Sequence, residues 1–77
     1  MKILVTLADG FEAIEAINVI DILRRAGIDV VTAGLKDGLV EGSHGVRVMP
    51  DTSLGRINHK DLDGLVLPGG APGFINL

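Results

Sequence analysis

The first half of the chain combines two continuous apolar runs with one helical repeat between them. The run KILVTL, residues 2–7, predicts a central strand that ends before an Asp-Gly pair. Residues 12–26 follow a helical pattern that stops at Gly27, a residue type that readily adopts the left-handed conformation found after helices. The β-branched run IDVVTAG, residues 28–34, predicts a second strand. Strand, helix and strand in this order predict a right-handed βαβ unit.

The second half of the chain has shorter elements. The segments LVEG (39–42) and VRVM (46–49) flank a Ser-His-Gly turn and predict an antiparallel hairpin or a small side ribbon. Residues 62–67 predict a third strand of the main sheet, which runs into the Gly- and Pro-rich loop LPGGAPG at 67–73.

One more helical turn is predicted between the hairpin and the third strand. The segment DTSLGRIN begins with Asp51 and Thr52, and either side chain is expected to cap the turn. Leu54 and Ile57, three residues apart, are then expected to be buried beneath it.

The composition is unusually apolar for so short a chain. Hydrophobic residues occupy 47% of the 77 positions, 11 further positions are glycine, and only 3% are aromatic. The apolar content is therefore mostly Val, Ile and Leu, as in a parallel sheet that is covered on both faces. Because such a sheet needs more than 77 residues, we expect this chain to be part of a larger α/β domain.

Charge and residue usage exclude several classes of function. Seven Lys and Arg against ten Asp and Glu give a net charge of −3 without any charge run, which argues against nucleic-acid binding. No apolar stretch is long enough for a membrane span and no secretory signal is recognisable, so a cytoplasmic location is expected. The chain has no cysteine and only two histidines, His44 and His59, both expected in polar surface turns. No disulfide, metal site or cofactor is predicted.

Glu15 is the first candidate for chemistry. At 100° per residue it falls on the same helical stripe as Val19, Ile22 and Ala26, which predicts that it lies on the packed side of the helix. A carboxyl buried there would be expected to remain protonated and to donate a hydrogen bond. The alternative is a half-exposed glutamate in the first helical turn, which the helix dipole favours without any function.

The glycine-rich loop is the second candidate. Gly69 and Gly70 follow the predicted third strand at its carboxyl end, where open α/β sheets hold their ligands. Backbone N–H groups at such glycines can approach an anion or an oxyanion closely. The alternative is a tight strand-to-helix turn, since the loop matches neither a Walker loop nor a dinucleotide-binding fingerprint.

Taken together, these motifs resemble the amino-terminal part of the DJ-1/ThiJ/PfpI superfamily, specifically its DJ-1/ThiJ branch. The resemblance covers the whole chain and rests on LADGFEAIEAINVIDILRRAGIDVVTAGL, GVRVMPDTSL and DGLVLPGGAPGFINL in this order. The PfpI branch shares ADGFE and PGG and is the nearest rival. The resemblance implies a flavodoxin-like α/β sandwich of the class I glutamine amidotransferase type, with residues 1–77 as the amino-terminal part of a single domain that forms homodimers.

The resemblance also implies roles for individual residues. In this family a reactive cysteine follows the next strand, and a protonated carboxyl of the first helix, here Glu15, donates a hydrogen bond to it. Gly70, with Gly69 beside it, would supply the oxyanion site. Arg25 matches one member of an anion-binding pair of arginines, whereas His44 stands at the other position. Arg25 is also expected to pair with Asp21, four residues earlier.

The cysteine and the family histidine lie beyond Leu77, so the rest of the domain is expected either as a separate chain or as a segment lost by truncation. This chain alone should be inactive. For the intact protein the resemblance implies a glyoxalase- or deglycase-type enzyme of the stress response that acts on small reactive carbonyls such as methylglyoxal. A redox-sensing chaperone and a PfpI-type intracellular cysteine peptidase are the alternatives.

Overall fold

The computed structural model describes residues 1–35 and 37–68, which form a parallel sheet, one α-helix and a hairpin. In chain order the elements are β1 (Lys2–Leu7), α1 (Ala13–Arg25), β2 (Asp29–Gly34), β3 (Val40–Glu41), β4 (Arg47–Val48), β5 (Thr52–Ser53) and β6 (Gly64–Val66). Single 3₁₀ turns lie at Leu54–Arg56 and His59–Asp61. The main sheet has four strands in the order β5-β2-β1-β6.

The predicted βαβ unit is confirmed. Strands β1 and β2 pair in parallel from Lys2 opposite Asp29 to Leu7 opposite Gly34. Helix α1 ends one residue before the predicted boundary, and Gly27 follows it with a φ of 81°. That left-handed conformation turns the chain back towards β2, and glycine adopts it without the steric cost that a Cβ would add.

Helix α1 packs on one face of the sheet with a different side from the one predicted. Ala16 and Ile20 are buried, whereas Ile22 is 62% exposed and Glu15 is exposed. The predicted packed stripe through Glu15, Val19, Ile22 and Ala26 is therefore wrong. Apolar residues occur almost all round α1, so their spacing alone does not select one face. The buried core cluster consists of Val5, Leu7, Phe11, Ala16, Ile20, Val30 and Val40.

The opposite face of the sheet carries an open apolar groove of about 570 Å³. Leu4 of β1 and Leu65 of β6 form its floor, and Leu62 lies beside them. Leu65 remains 57% exposed within the part of the chain that the structure describes. Apolar surface of this kind on a sheet face is typical of α/β sheets, whose strands are buried on both faces when the domain is complete.

The predicted hairpin is confirmed, although its strands are shorter than expected. Strands β3 and β4 pair antiparallel, with Val40 opposite Val48 and Glu41 opposite Arg47. Val40 is buried in the core cluster, so the hairpin is anchored to the sheet and is more than a surface ribbon.

The sequence predicted that Asp51 caps a helical turn, but in the structure Asp51 has a different role. Its carboxylate accepts hydrogen bonds from the backbone N–H of Thr32, at 3.0 Å, and from Nη2 of Arg24, at 3.1 Å. In return, the backbone N–H of Asp51 donates to Oγ1 of Thr32 at 2.8 Å. Nη2 of Arg24 also donates to the carbonyl of Val30 at 3.0 Å. This network joins the carboxyl end of α1, strand β2 and the segment that precedes β5.

The turn at 54–56 is a 3₁₀ turn whose N-cap is Ser53, without any side-chain capping bond, so neither Asp51 nor Thr52 caps it. Leu54 and Ile57 are half-buried, where full burial was predicted. The sequence also missed β5, and it predicted a longer third strand than β6. None of the helices in residues 1–35 and 37–68 is long and apolar enough to cross a membrane.

Candidate functional site

The carboxyl edge of the sheet brings together the segments that carry the two candidate motifs. Strands β1 and β6 are parallel neighbours, with Val5 opposite Val66. Their carboxyl ends therefore open at the same edge, where parallel sheets bind ligands. The chain leaves β1 there to start α1, with Glu15 in the first turn, and it leaves β6 there through the buried Pro68.

Glu15 has the position that the alternative prediction gave it, in the first helical turn and away from the packed side. It lies in the first turn of α1 and is exposed in the described part of the chain. The prediction that α1 itself buries Glu15 against the sheet is thus wrong within the described residues. Glu15 belongs to the first turn of α1, which follows the carboxyl end of β1.

The segment between β1 and α1 is held by the hairpin, which sequence reasoning did not anticipate. The N–H of Gly10 donates to the carbonyl of Glu41 at 2.7 Å, and the N–H of Ser43 donates to the carbonyl of Phe11 at 2.9 Å. The N–H of Glu41 donates to Oδ1 of Asp9 at 3.1 Å. Phe11 and Gly42 form a parallel β-bridge. Gly42, within the predicted strand 39–42, was the signal that could have indicated this contact, since a glycine in a strand often marks a close approach of two backbones.

Arg25 lies away from Glu15, near the carboxyl end of α1. Arg25 forms the expected i,i+4 ion pair with Asp21, with Nε 3.0 Å from Oδ2. At 1.5 Å per residue, its Cα lies about 15 Å further along the helix axis than that of Glu15. His44 is exposed in the hairpin turn as expected, with Nδ1 3.0 Å from Oγ of Ser43. An anion-binding role for Arg25 stays a prediction.

Gly69 and Gly70, the predicted oxyanion donors, lie outside the described residues. His59 is exposed, as expected, but it belongs to the second 3₁₀ turn. Within residues 1–35 and 37–68, no three His, Cys, Asp or Glu side chains are grouped so that they could hold a metal ion.

Comparison with known proteins identifies the family. A family model described as the DJ-1/PfpI family matches residues 1–76. The chain belongs to the DJ-1/PfpI family. Protein dj-1beta of Drosophila melanogaster is 49% identical over 71 residues, which are 91% of this chain and 38% of that protein. A Pyrococcus furiosus protein named Deglycase PfpI is 38% identical over 78 aligned positions, covering all of this chain and 47% of that protein.

Solved DJ-1 structures have the same fold over the aligned region. The crystal structure of Drosophila melanogaster DJ-1beta superposes with a TM-score of 0.88 at 48% identity, covering 94% of this chain and 39% of that chain. Oxidized DJ-1 of Toxoplasma gondii gives a TM-score of 0.87 at 40% identity, over 92% of this chain and 39% of that chain. The predicted flavodoxin-like fold of the DJ-1 family is thereby confirmed for this amino-terminal portion. The chain spans less than half the length of the relatives it matches.

Proposed function

We propose that this chain is the amino-terminal part of a cysteine-dependent DJ-1-type enzyme that acts on small reactive carbonyls, such as methylglyoxal or its early adducts. The observation that carries the proposal is the similarity of the whole chain, at 37–38% identity, to four archaeal proteins named deglycases. The position of Glu15 at the carboxyl edge of the sheet supports it, because a group from the rest of the domain can reach that edge.

The domain proposal is that residues 1–77 are one part of a single domain, whose remainder supplies the nucleophilic cysteine and the histidine. The apolar groove whose floor is formed by Leu4 and Leu65 supports this, because packing by further chain would remove its surface from water. We further propose a homodimer in the cytoplasm. Intact mass spectrometry of the purified natural protein tests the domain proposal. A longer chain, or a second polypeptide that contains cysteine, is expected, whereas a sample of the 77-residue chain alone would contradict it.

The proposed chemistry requires one thiolate and two groups from this chain. The cysteine thiolate adds to the carbonyl carbon, and the carbonyl π electrons move to oxygen to form an oxyanion. The backbone N–H of Gly70 donates a hydrogen bond to that oxyanion, and the N–H of Gly69 lies next to it in sequence. Glu15 then transfers its proton to the oxyanion, which yields a hemithioacetal and leaves Glu15 ionised.

Replacement of Glu15 in the intact protein tests the assignment. Because general acid–base groups contribute about 10²- to 10⁴-fold, Glu15→Leu is expected to lower carbonyl turnover by a factor in this range. Glu15→Gln keeps an N–H donor but no transferable proton, so an intermediate rate is expected. Asp21→Leu is the matched control, because it removes another exposed carboxylate from the same helix.

The same variants give a second readout, the pH midpoint of cysteine alkylation. Loss of a hydrogen bond to the thiolate is expected to raise this midpoint by about one to two pH units in Glu15→Leu. Unchanged turnover and an unchanged midpoint in a folded Glu15→Leu protein would show that Glu15 has no part in the reaction. Loss of turnover in Asp21→Leu as well would point to a general effect on α1.

A further inference from the structure

We propose that the β3–β4 hairpin is a positioning element that fixes the first turn of α1 and thereby aims the Glu15 carboxyl. The inference rests on the role proposed for Glu15, and it adds the hairpin as a support for the segment that leads into α1. Its basis is the set of contacts between the hairpin and residues 9–11, which connect β1 to α1.

The N-cap residue of α1 does not cap the helix with its side chain. Glu12 is the N-cap residue and makes no capping hydrogen bond with its side chain, although its carbonyl accepts the first helical bond, from the N–H of Ala16 at 3.0 Å. A side-chain cap normally contributes about 1 kcal/mol and fixes the first turn. Because the Glu12 side chain provides no such bond, the backbone just before Glu12 contributes to the direction in which the helix begins.

That backbone is bound to the hairpin on both sides of Gly10. The carboxylate of Asp9 and the carbonyl of Phe11 each accept a hydrogen bond from a backbone N–H of the hairpin. The Phe11 side chain is only 1% exposed and belongs to the core cluster, so it cannot turn away without opening the core. Residues 9–11 are thus fixed by hydrogen bonds and by packing at once.

Gly42 lies where the hairpin backbone approaches that of Phe11. A Cβ at this position would lie 3.2 Å from the carbonyl oxygen of Phe11 and 3.3 Å from that of Val46. The N–H of Gly42 donates to that same Val46 carbonyl at 2.7 Å, and the carbonyl of Gly42 accepts from the N–H of Gly45 at 3.1 Å. Because two backbone oxygens lie this close, an added methyl group requires the carbonyls of Phe11 and Val46 to move by a few tenths of an ångström.

Gly42→Ala is therefore the perturbation that tests the proposal, and Gly55→Ala is its matched control. A Cβ at Gly55 meets no atom within 4 Å. In Gly42→Ala we expect the amide of Ala16 to exchange with solvent faster, on the order of tenfold, because the first turn opens more often. In the intact protein we expect the pH midpoint of cysteine alkylation to rise by about half a unit, less than in Glu15→Leu.

A double variant separates action through Glu15 from general damage. If the hairpin acts by aiming Glu15, the protein with both Gly42→Ala and Glu15→Leu has the midpoint of Glu15→Leu alone. The proposal is overturned if the midpoint shifts of the two single variants add in the double variant. It is also overturned if Glu15→Leu shifts the midpoint and folded Gly42→Ala does not. If Glu15→Leu itself leaves the midpoint unchanged, the proposed function of Glu15 is refuted. The exchange rate at Ala16 then decides by itself whether the hairpin fixes the first turn.

Asp9 provides a milder perturbation if Gly42→Ala does not fold. Asp9→Ala removes the acceptor for the N–H of Glu41, an exposed hydrogen bond, and is expected to shift the alkylation midpoint upward. Asp9→Asn retains an oxygen acceptor and is expected to restore most of the wild-type midpoint. Equal midpoints for Asp9→Ala and the wild-type protein would overturn the positioning role of this contact.

Discussion

Replacement of Asp51 by alanine is expected to destabilise the domain well beyond the loss of a surface charge. The carboxylate accepts from the N–H of Thr32, a residue that is only 6% exposed, and from Arg24. In Asp51→Ala the Thr32 N–H loses its acceptor at a place that water reaches poorly. The backbone bond from Asp51 to the Thr32 hydroxyl does not depend on the carboxylate and is retained.

The two lost interactions differ in magnitude. Leaving a buried N–H without a partner costs about 1–3 kcal/mol. The ion pair with Arg24 contributes much less, about 0.5 kcal/mol, because the two side chains are 48% and 50% exposed and water screens them. The expected loss for Asp51→Ala is therefore about 2–3 kcal/mol. Asp51→Asn keeps a carbonyl acceptor for Thr32 and should cost only about 0.5 kcal/mol.

Thermal and urea unfolding of the intact protein measure this difference. For a domain of about 200 residues, each kcal/mol lowers Tm by about 2–4 °C, so Asp51→Ala should lower it by about 4–12 °C. Asp21→Ala is the control, because it removes only the exposed i,i+4 pair with Arg25 and should cost about 0.3–0.5 kcal/mol. Equal losses for Asp51→Ala and Asp51→Asn would refute the reasoning, because the ion pair rather than the Thr32 bond would then dominate.

Two further predictions concern packing and backbone conformation. Ile20→Ala should cost about 2–5 kcal/mol and Ile22→Ala within about 0.5 kcal/mol in urea unfolding, because Ile20 is 8% exposed and Ile22 62%. A larger loss for Ile22→Ala than for Ile20→Ala would contradict the orientation of α1 seen in the described residues. Gly27→Ala should cost about 1–2 kcal/mol because of its φ of 81°, whereas Gly55→Ala should be neutral or stabilising by about 0.4–1 kcal/mol. Equal Tm values for these two variants would contradict the strain argument.

The features predicted correctly depend on residues close together in sequence. The strand at 2–7, the helix that stops at Gly27 and the β-branched strand that follows are each specified by a local pattern, and their order specifies parallel pairing. The hairpin was also predicted, although its strands were placed too long. The motifs further indicated the family, which the family model matches over residues 1–76.

Features predicted wrongly depend on contacts between distant parts of the chain. Asp51 has the residue type and the position of a helix cap, but a free backbone N–H on Thr32, 19 residues away, is its actual partner. Strand β5 has only two residues and exists because it pairs with the edge of β2. No local pattern specifies a strand of that length.

For Glu15, the sequence determines the position in the helix, and the tertiary structure determines the surroundings. The sequence by itself determined that a carboxylate lies near the start of the first helix, at the carboxyl end of a central strand. Only the tertiary structure decided which side of α1 meets the sheet, because apolar residues on several sides compete and the small Ala16 allows the closer contact. It also brought the hairpin against residues 9–11, since backbone hydrogen bonds between segments 30 residues apart leave little trace in either sequence pattern.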